Sequence, residues 1–160
     1  LDVLKPLFPI WISYILSFVN VGIYWNNHHH MLHAAKQVNG KVLWANTHLL
    51  FWLSMFPFVT GWMGENHFTK WPVILYGFIS LMCGIAYYLL ALALCSVHGK
   101  DSLITKTVLA DKKGIVSIVI YLAGIGLSFI NPWLGFSTYV LVAIMWFMPD
   151  KFIERSLNES

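Results

Sequence analysis

Apolar residues run through this chain in five long blocks: Leu7–Trp25, Leu43–Met63, Trp71–Val97, Gly114–Ile130 and Pro132–Pro149. Not one Asp, Glu, Lys or Arg falls inside any of them. Each block is close to the ~20 residues an α-helix needs to cross a bilayer. Five such blocks in succession predict an all-α integral membrane protein with five transmembrane helices. Two connections are tight. Gly64–Lys70 joins the second and third blocks, and Asn131-Pro132 alone joins the fourth and fifth, which therefore form a helical hairpin. Gly124, Gly126 and Ser128 in the fourth block, and Ser80 and Gly84 in the third, are small residues at spacings that let helices approach closely in lipid. Pro57 is the only proline deep in a span, so a kink is expected there.

Composition agrees with this reading. Hydrophobic residues make up 58% of the 160 and charged residues 11%, with a mean hydropathy of +0.67; soluble domains carry about 25% charged residues. The net charge of +3 sits in the connections and contains no basic run beyond Lys112-Lys113, so nucleic-acid binding is not indicated. Its distribution gives orientation instead. Lys36, Lys41, Lys100, Lys106, Lys112, Lys113, Lys151 and Arg155 follow the odd-numbered spans, whereas only Lys5 and Lys70 lie on the opposite side. The positive-inside rule then puts the C-terminus in the cytoplasm and Leu1 outside. With no signal-peptide pattern before an outside start, a preceding span is expected, giving six spans in the complete subunit. Cys83 and Cys95 lie twelve residues apart in one span, about 18 Å along a helix, and cannot bridge. Tryptophans 25, 44, 62, 71, 133 and 146 fall at or near span ends, where an apolar ring with a polar N–H is most at home.

The densest candidate chemistry is Tyr24-Trp25-Asn26-Asn27-His28-His29-His30-Met31-Leu32-His33, which holds four of the seven histidines. Orientation puts it at the cytoplasmic end of the first span. Asn46, Thr47 and His48 begin the second span at similar depth, and the loop between is short, so the two helices are expected to be antiparallel neighbours. Buried polar groups in lipid are costly unless paired. A hydrogen-bonded polar layer near this end of the bundle follows, with Asn20 as a possible extension. His29 and His33 share a helix face at a spacing that can bind a metal ion. His48, His67 and His98 are scattered, however, and no carboxylate lies within ten residues of the block.

Trp25-Asn-Asn-His28 followed by Met31-Leu32, with Asn46, Phe56-Pro57-Phe58 and Met63-Gly64-Glu65 further on, resembles the transmembrane protein 175 family of potassium channels. The likeness is strongest over Trp11–Glu65. It implies a potassium-selective channel subunit that conducts K+ passively, assembled as a homotetramer in a prokaryotic plasma membrane. It implies a pore lined by the expected preceding helix, with this chain forming the surrounding sleeve. Trp25, His28 and Asn46 would be pore-supporting hydrogen-bonding residues, and His29, His30 and His33 a solvent-facing fringe. No catalytic residue, metal or cofactor is expected; the partners are K+, other copies of the chain and the lipid bilayer. The alternative is a histidine-ligated membrane metalloenzyme or haem protein, and a third reading is a non-conducting scaffold. The absence of Asp, Glu, Lys and Arg from the spans favours a passive pathway over a proton-coupled transporter.

Overall fold

A computed structural model describes residues 7–33, 35, 37–99, 102, 105–106, 108 and 112–147. The charged tail, and with it Lys151 and Arg155, lies outside the described residues, as do Lys5, Lys36 and Lys100. Among the described residues six α-helices are bounded: α1 Phe8–His33, α2 Gly40–Ser54, α3 Phe56–Glu65, α4 Lys70–His98, α5 Lys113–Ile130 and α6 Pro132–Phe147. No strand occurs among the described residues. Three helical segments, Gly40–Glu65, Lys70–His98 and Lys113–Ile130, are long and apolar enough to cross a membrane, and α6 is a shorter apolar helix. α1 and α4, at 26 and 29 residues, are about 39 and 44 Å long, more than the ~30 Å hydrocarbon layer.

The second expected span is not one helix. α2 ends at Ser54 and α3 starts at Phe56, with Met55 as the shared cap. Proline causes the break, but upstream of itself. Its ring clashes with the carbonyl four residues back, so the helix yields before it is reached. Pro57 then occupies the first turn of α3, where a missing N–H costs nothing. Met55 closes the joint by donating its N–H to Trp52 O at 3.1 Å, and Val59 N–H returns to Met55 O at 3.1 Å. At the other end of α2, Asn39 caps the helix by accepting from Val42 N–H at 3.1 Å.

α4 is the central helix. Val73, Tyr76, Ile79 and Cys83 pack with Phe56, Val59 and Met63 of α3 and with Tyr121, Tyr139 and Val142 of the α5–α6 hairpin. Further along, Ala86, Leu90 and Leu94 pack with Val42 and Leu49 of α2. Cys83 and Cys95 are both free thiols. The hairpin closes through small residues. A Cβ on Gly135 would lie 2.6 Å from the Gly124 carbonyl oxygen and overlap Ser128, and one on Gly124 would overlap Thr138 and Tyr139. Gly126, on the other hand, faces open space and takes no part in the contact. Asn131 turns the chain, its side-chain oxygen accepting from Trp133 N–H at 2.9 Å. The α3–α4 turn puts His67 and Phe68 at φ +49° and +57°, a region side chains seldom enter. Stacking of Phe68 on Trp133, with ring centroids 5.1 Å apart, holds it there.

Large apolar side chains also cover the outside. Phe18 is 70% exposed, Trp44 77% and Ile130 80%. On α1 the polarity is reversed relative to a soluble helix: Ser13, Ser17 and Asn20 point inward while Trp11, Ile15 and Phe18 point outward. A surface of this kind is satisfied by lipid, not water.

Candidate functional site

The four-histidine block is helical throughout and forms the last turns of α1. A helix turns 100° per residue, so successive histidines face different ways. His28 faces α2 and is half-buried. Its Nε2–H donates to Asn46 Oδ1 at 2.5 Å. Asn46 lies in the second turn of α2, set at this depth by the Asn39 cap. The bond therefore joins the end of one helix to the start of the next across the 34–39 connection.

Trp25 lies apart from that pair. It is 63% exposed and stacks on His29, with ring centroids 5.4 Å apart and planes within 13°. His29 lies near His33 as well, at 6.1 Å between centroids. His29, His30 and His33 are all exposed. The remaining histidines are dispersed. His48 Nε2 accepts from Trp52 Nε1–H at 2.9 Å, one turn along α2. His98 caps the end of α4, its Nδ1–H donating to Leu94 O at 2.9 Å and its Nε2 accepting from Gln37 N–H at 3.3 Å. His67 occupies the turn after α3. Among the described residues no group of three or more His, Cys, Asp and Glu is placed to hold a metal ion.

Above the His28–Asn46 pair, α1 makes two further polar contacts. Asn20 does not extend the His28 layer; its Nδ2 donates to Leu16 O at 3.1 Å and to the Tyr76 hydroxyl of α4 at 2.9 Å. Ser17 Oγ shares a hydrogen bond with Thr60 Oγ1 of α3 and also donates to Phe56 O at 3.4 Å. Reasoning from the sequence missed Ser17, Thr60 and Tyr76. A signal was present: Ser13, Ser17 and Asn20 fall at i, i+4 and i+7, one face of a helix. On the hairpin side, Trp146 Nε1–H donates to Ser117 Oγ at 2.7 Å and Ser117 to Lys113 O at 2.8 Å.

α1 is thus hydrogen-bonded to α2 through His28 and Asn46, to α3 through Ser17 with Thr60 and Phe56 O, and to α4 through Asn20 and Tyr76. No charged side chain takes part. Such an arrangement fixes the helix's rotation and depth.

Comparison with known proteins bears on the same region. Residues 1–57 match the family described as endosomal/lysosomal potassium channel TMEM175. A potassium channel from Chryseobacterium sp. (strain P1-3) is 45% identical over 157 residues, a stretch that covers 98% of this chain and 82% of that protein. No solved structure matches.

Proposed function

Because this chain belongs to the TMEM175 family of potassium channels, we propose that it is a subunit of a potassium-selective channel that conducts K+ passively across a membrane. The observation that carries this reading is 45% identity over nearly the whole chain to a protein named as a potassium channel. In this reading the pore is lined by a helix preceding residue 1 in a homotetramer, and α1 to α6 form the sleeve around it. The membrane is a prokaryotic plasma membrane with the C-terminus on the cytoplasmic side, which the excess of Lys and Arg after the odd-numbered spans supports. The spans contain no Asp, Glu, Lys or Arg, so they offer no proton relay or gating charge, as suits a passive conductor.

His28 and Asn46 support the pore by holding α1 against α2. Their 2.5 Å hydrogen bond is the contact that favours this role. Trp25 belongs to the same site by its position in the family motif. Its contact with His29 makes it a brace for the end of α1 rather than a direct tie to α2.

The decisive measurement is K+ flux from liposomes carrying the full-length protein. Flux well above empty vesicles, and slower when Na+ replaces K+, is expected; flux equal to empty vesicles refutes the channel. His28→Ala should lower the flux per assembled protein more than His30→Ala. Equal, small effects would remove His28 from pore support and leave conduction standing.

A further inference from the structure

Between α1, α4, α5 and α6 lies a small, partly open cavity of about 20 Å³. One water molecule needs about 10–15 Å³ and two to four polar partners. The lining supplies such partners from two sides. Asn20, Tyr24 and Asn27 of α1 meet Ser117 and Tyr121 of α5, with Gly84 of α4 beneath them. We infer that this cavity is a water-binding site, held by Asn20 and Tyr24 on α1 and by Tyr121 on α5, through which α1 is tied to the α5–α6 hairpin.

Hydrogen-bonding capacity argues for it. Both amide hydrogens of Asn20 are committed, to Leu16 O and the Tyr76 hydroxyl. Its carbonyl oxygen is the remaining acceptor, on a residue only 7% exposed. Tyr24 and Tyr121 both line the cavity with their hydroxyls close enough to interact. Each can donate once and accept twice, so one mutual bond leaves both with spare capacity. Asn27 spends one amide hydrogen on Ile23 O at 2.8 Å. Asn20, Tyr24, Asn27 and Tyr121 all line the cavity, so this spare capacity is available to an occupant. A water needs polar partners to occupy a void, and in this largely apolar lining Asn20, Tyr24, Asn27, Ser117 and Tyr121 supply them. No Asp, Glu, Lys or Arg lines the space, which favours a neutral occupant over an ion.

Gly84 makes the room. A Cβ there would sit 3.9 Å from the Tyr24 hydroxyl oxygen, 3.9 Å from Tyr121 Cε2 and 3.8 Å from Ile118 Cγ1. These are ordinary contacts, so Gly84→Ala fits without strain and occupies space beside both hydroxyls.

The test is hydroxyl-radical footprinting of the full-length protein in nanodiscs, with radicals generated by an X-ray pulse. Ordered internal water is activated where it sits and marks its neighbours. Tyr121 is 3% exposed and Tyr76 1%, so bulk solvent should label both equally little. The site predicts several-fold faster oxidation of Tyr121 than of Tyr76, falling to the Tyr76 rate in Gly84→Ala. Equal rates in the native protein, or a Tyr121 rate unmoved by Gly84→Ala, overturn it. Should that variant not fold, high-resolution density of the native protein decides. A water-like peak within hydrogen-bonding distance of Asn20 Oδ1 supports the site. No peak, or a peak that becomes anomalous on exchange into Rb+, overturns it.

Discussion

Replacing His28 and Asn46 by alanine, singly and together, tests whether their contact is an energetic tie. The pair is half-buried and joined at 2.5 Å. A hydrogen bond contributes roughly 0.5–1.5 kcal/mol net, and stranding one partner costs about 1–3 kcal/mol. Contacts of this kind between membrane helices average nearer 0.6 kcal/mol, with a ceiling of about 1.7 kcal/mol. Because the pair is only half-buried, the lower part of the range for a stranded partner applies. We expect each single substitution to cost about 1–2 kcal/mol and the pair to show a coupling of about 1 kcal/mol. For a domain of this size each kcal/mol moves Tm by about 2–4 °C. The singles should therefore lower Tm by about 2–8 °C in nanodiscs. The double variant should fall short of their sum by about 2–4 °C. His30→Ala, on an exposed position, should stay within the ~0.5 kcal/mol usual for surface changes. Losses in the double variant that simply add would show that His28 and Asn46 touch without depending on each other. The claim that they hold α1 to α2 would then fail.

Two other substitutions probe the packing around the site. Gly135→Ala should cost about 1–3 kcal/mol in thermal unfolding, because its Cβ meets the Gly124 carbonyl at 2.6 Å and backbone must move. Gly126→Ala, facing open space in the same hairpin, should gain up to about 1 kcal/mol from helix propensity, and a loss as large as that of Gly135→Ala would contradict the assigned contact face. Tyr76→Phe strands the Asn20 amide and should destabilise by about 1–3 kcal/mol in the same assay, while an unchanged Tm would mean that Asn20 finds another acceptor.

Sequence showed the architecture because lipid imposes so simple a requirement. Charge-free blocks of about 20 residues had to become helices, and the described blocks are helical, though α1 runs on to His33 and the second block is divided at Met55. The His28–Asn46 contact was legible for a related reason. A short connection puts the end of one span beside the start of the next, and few polar groups were available there. Trp25 was less legible. An aromatic at a span end can face a helix, a neighbouring ring or the headgroups, and only side-chain packing selects His29 for it. Ser17, Thr60 and Tyr76 were hidden for the opposite reason. A hydroxyl dropped into an apolar run hardly disturbs hydropathy, and Ser and Thr can satisfy themselves on their own helix backbone. The joint at Met55 was misplaced by two residues, because proline was read as the bend and not as the cause of a break before it.

The reversed polarity of α1 turns over the usual map of which substitutions the chain should tolerate. In a soluble domain the outward positions drift freely among charged residues. Here a charge at Ile15 or Phe18, both outward, would cost about 2.5–3.5 kcal/mol on insertion. Exchange among Leu, Ile, Val and Phe there should be nearly silent. Inward, Ser13, Ser17 and Asn20 leave room only for residues small enough to fit and polar enough to bond. A version of this protein made for aqueous solution would thus be redesigned from the rim alone, with Glu and Lys in place of its outer aromatics. Its interior could be carried across unaltered.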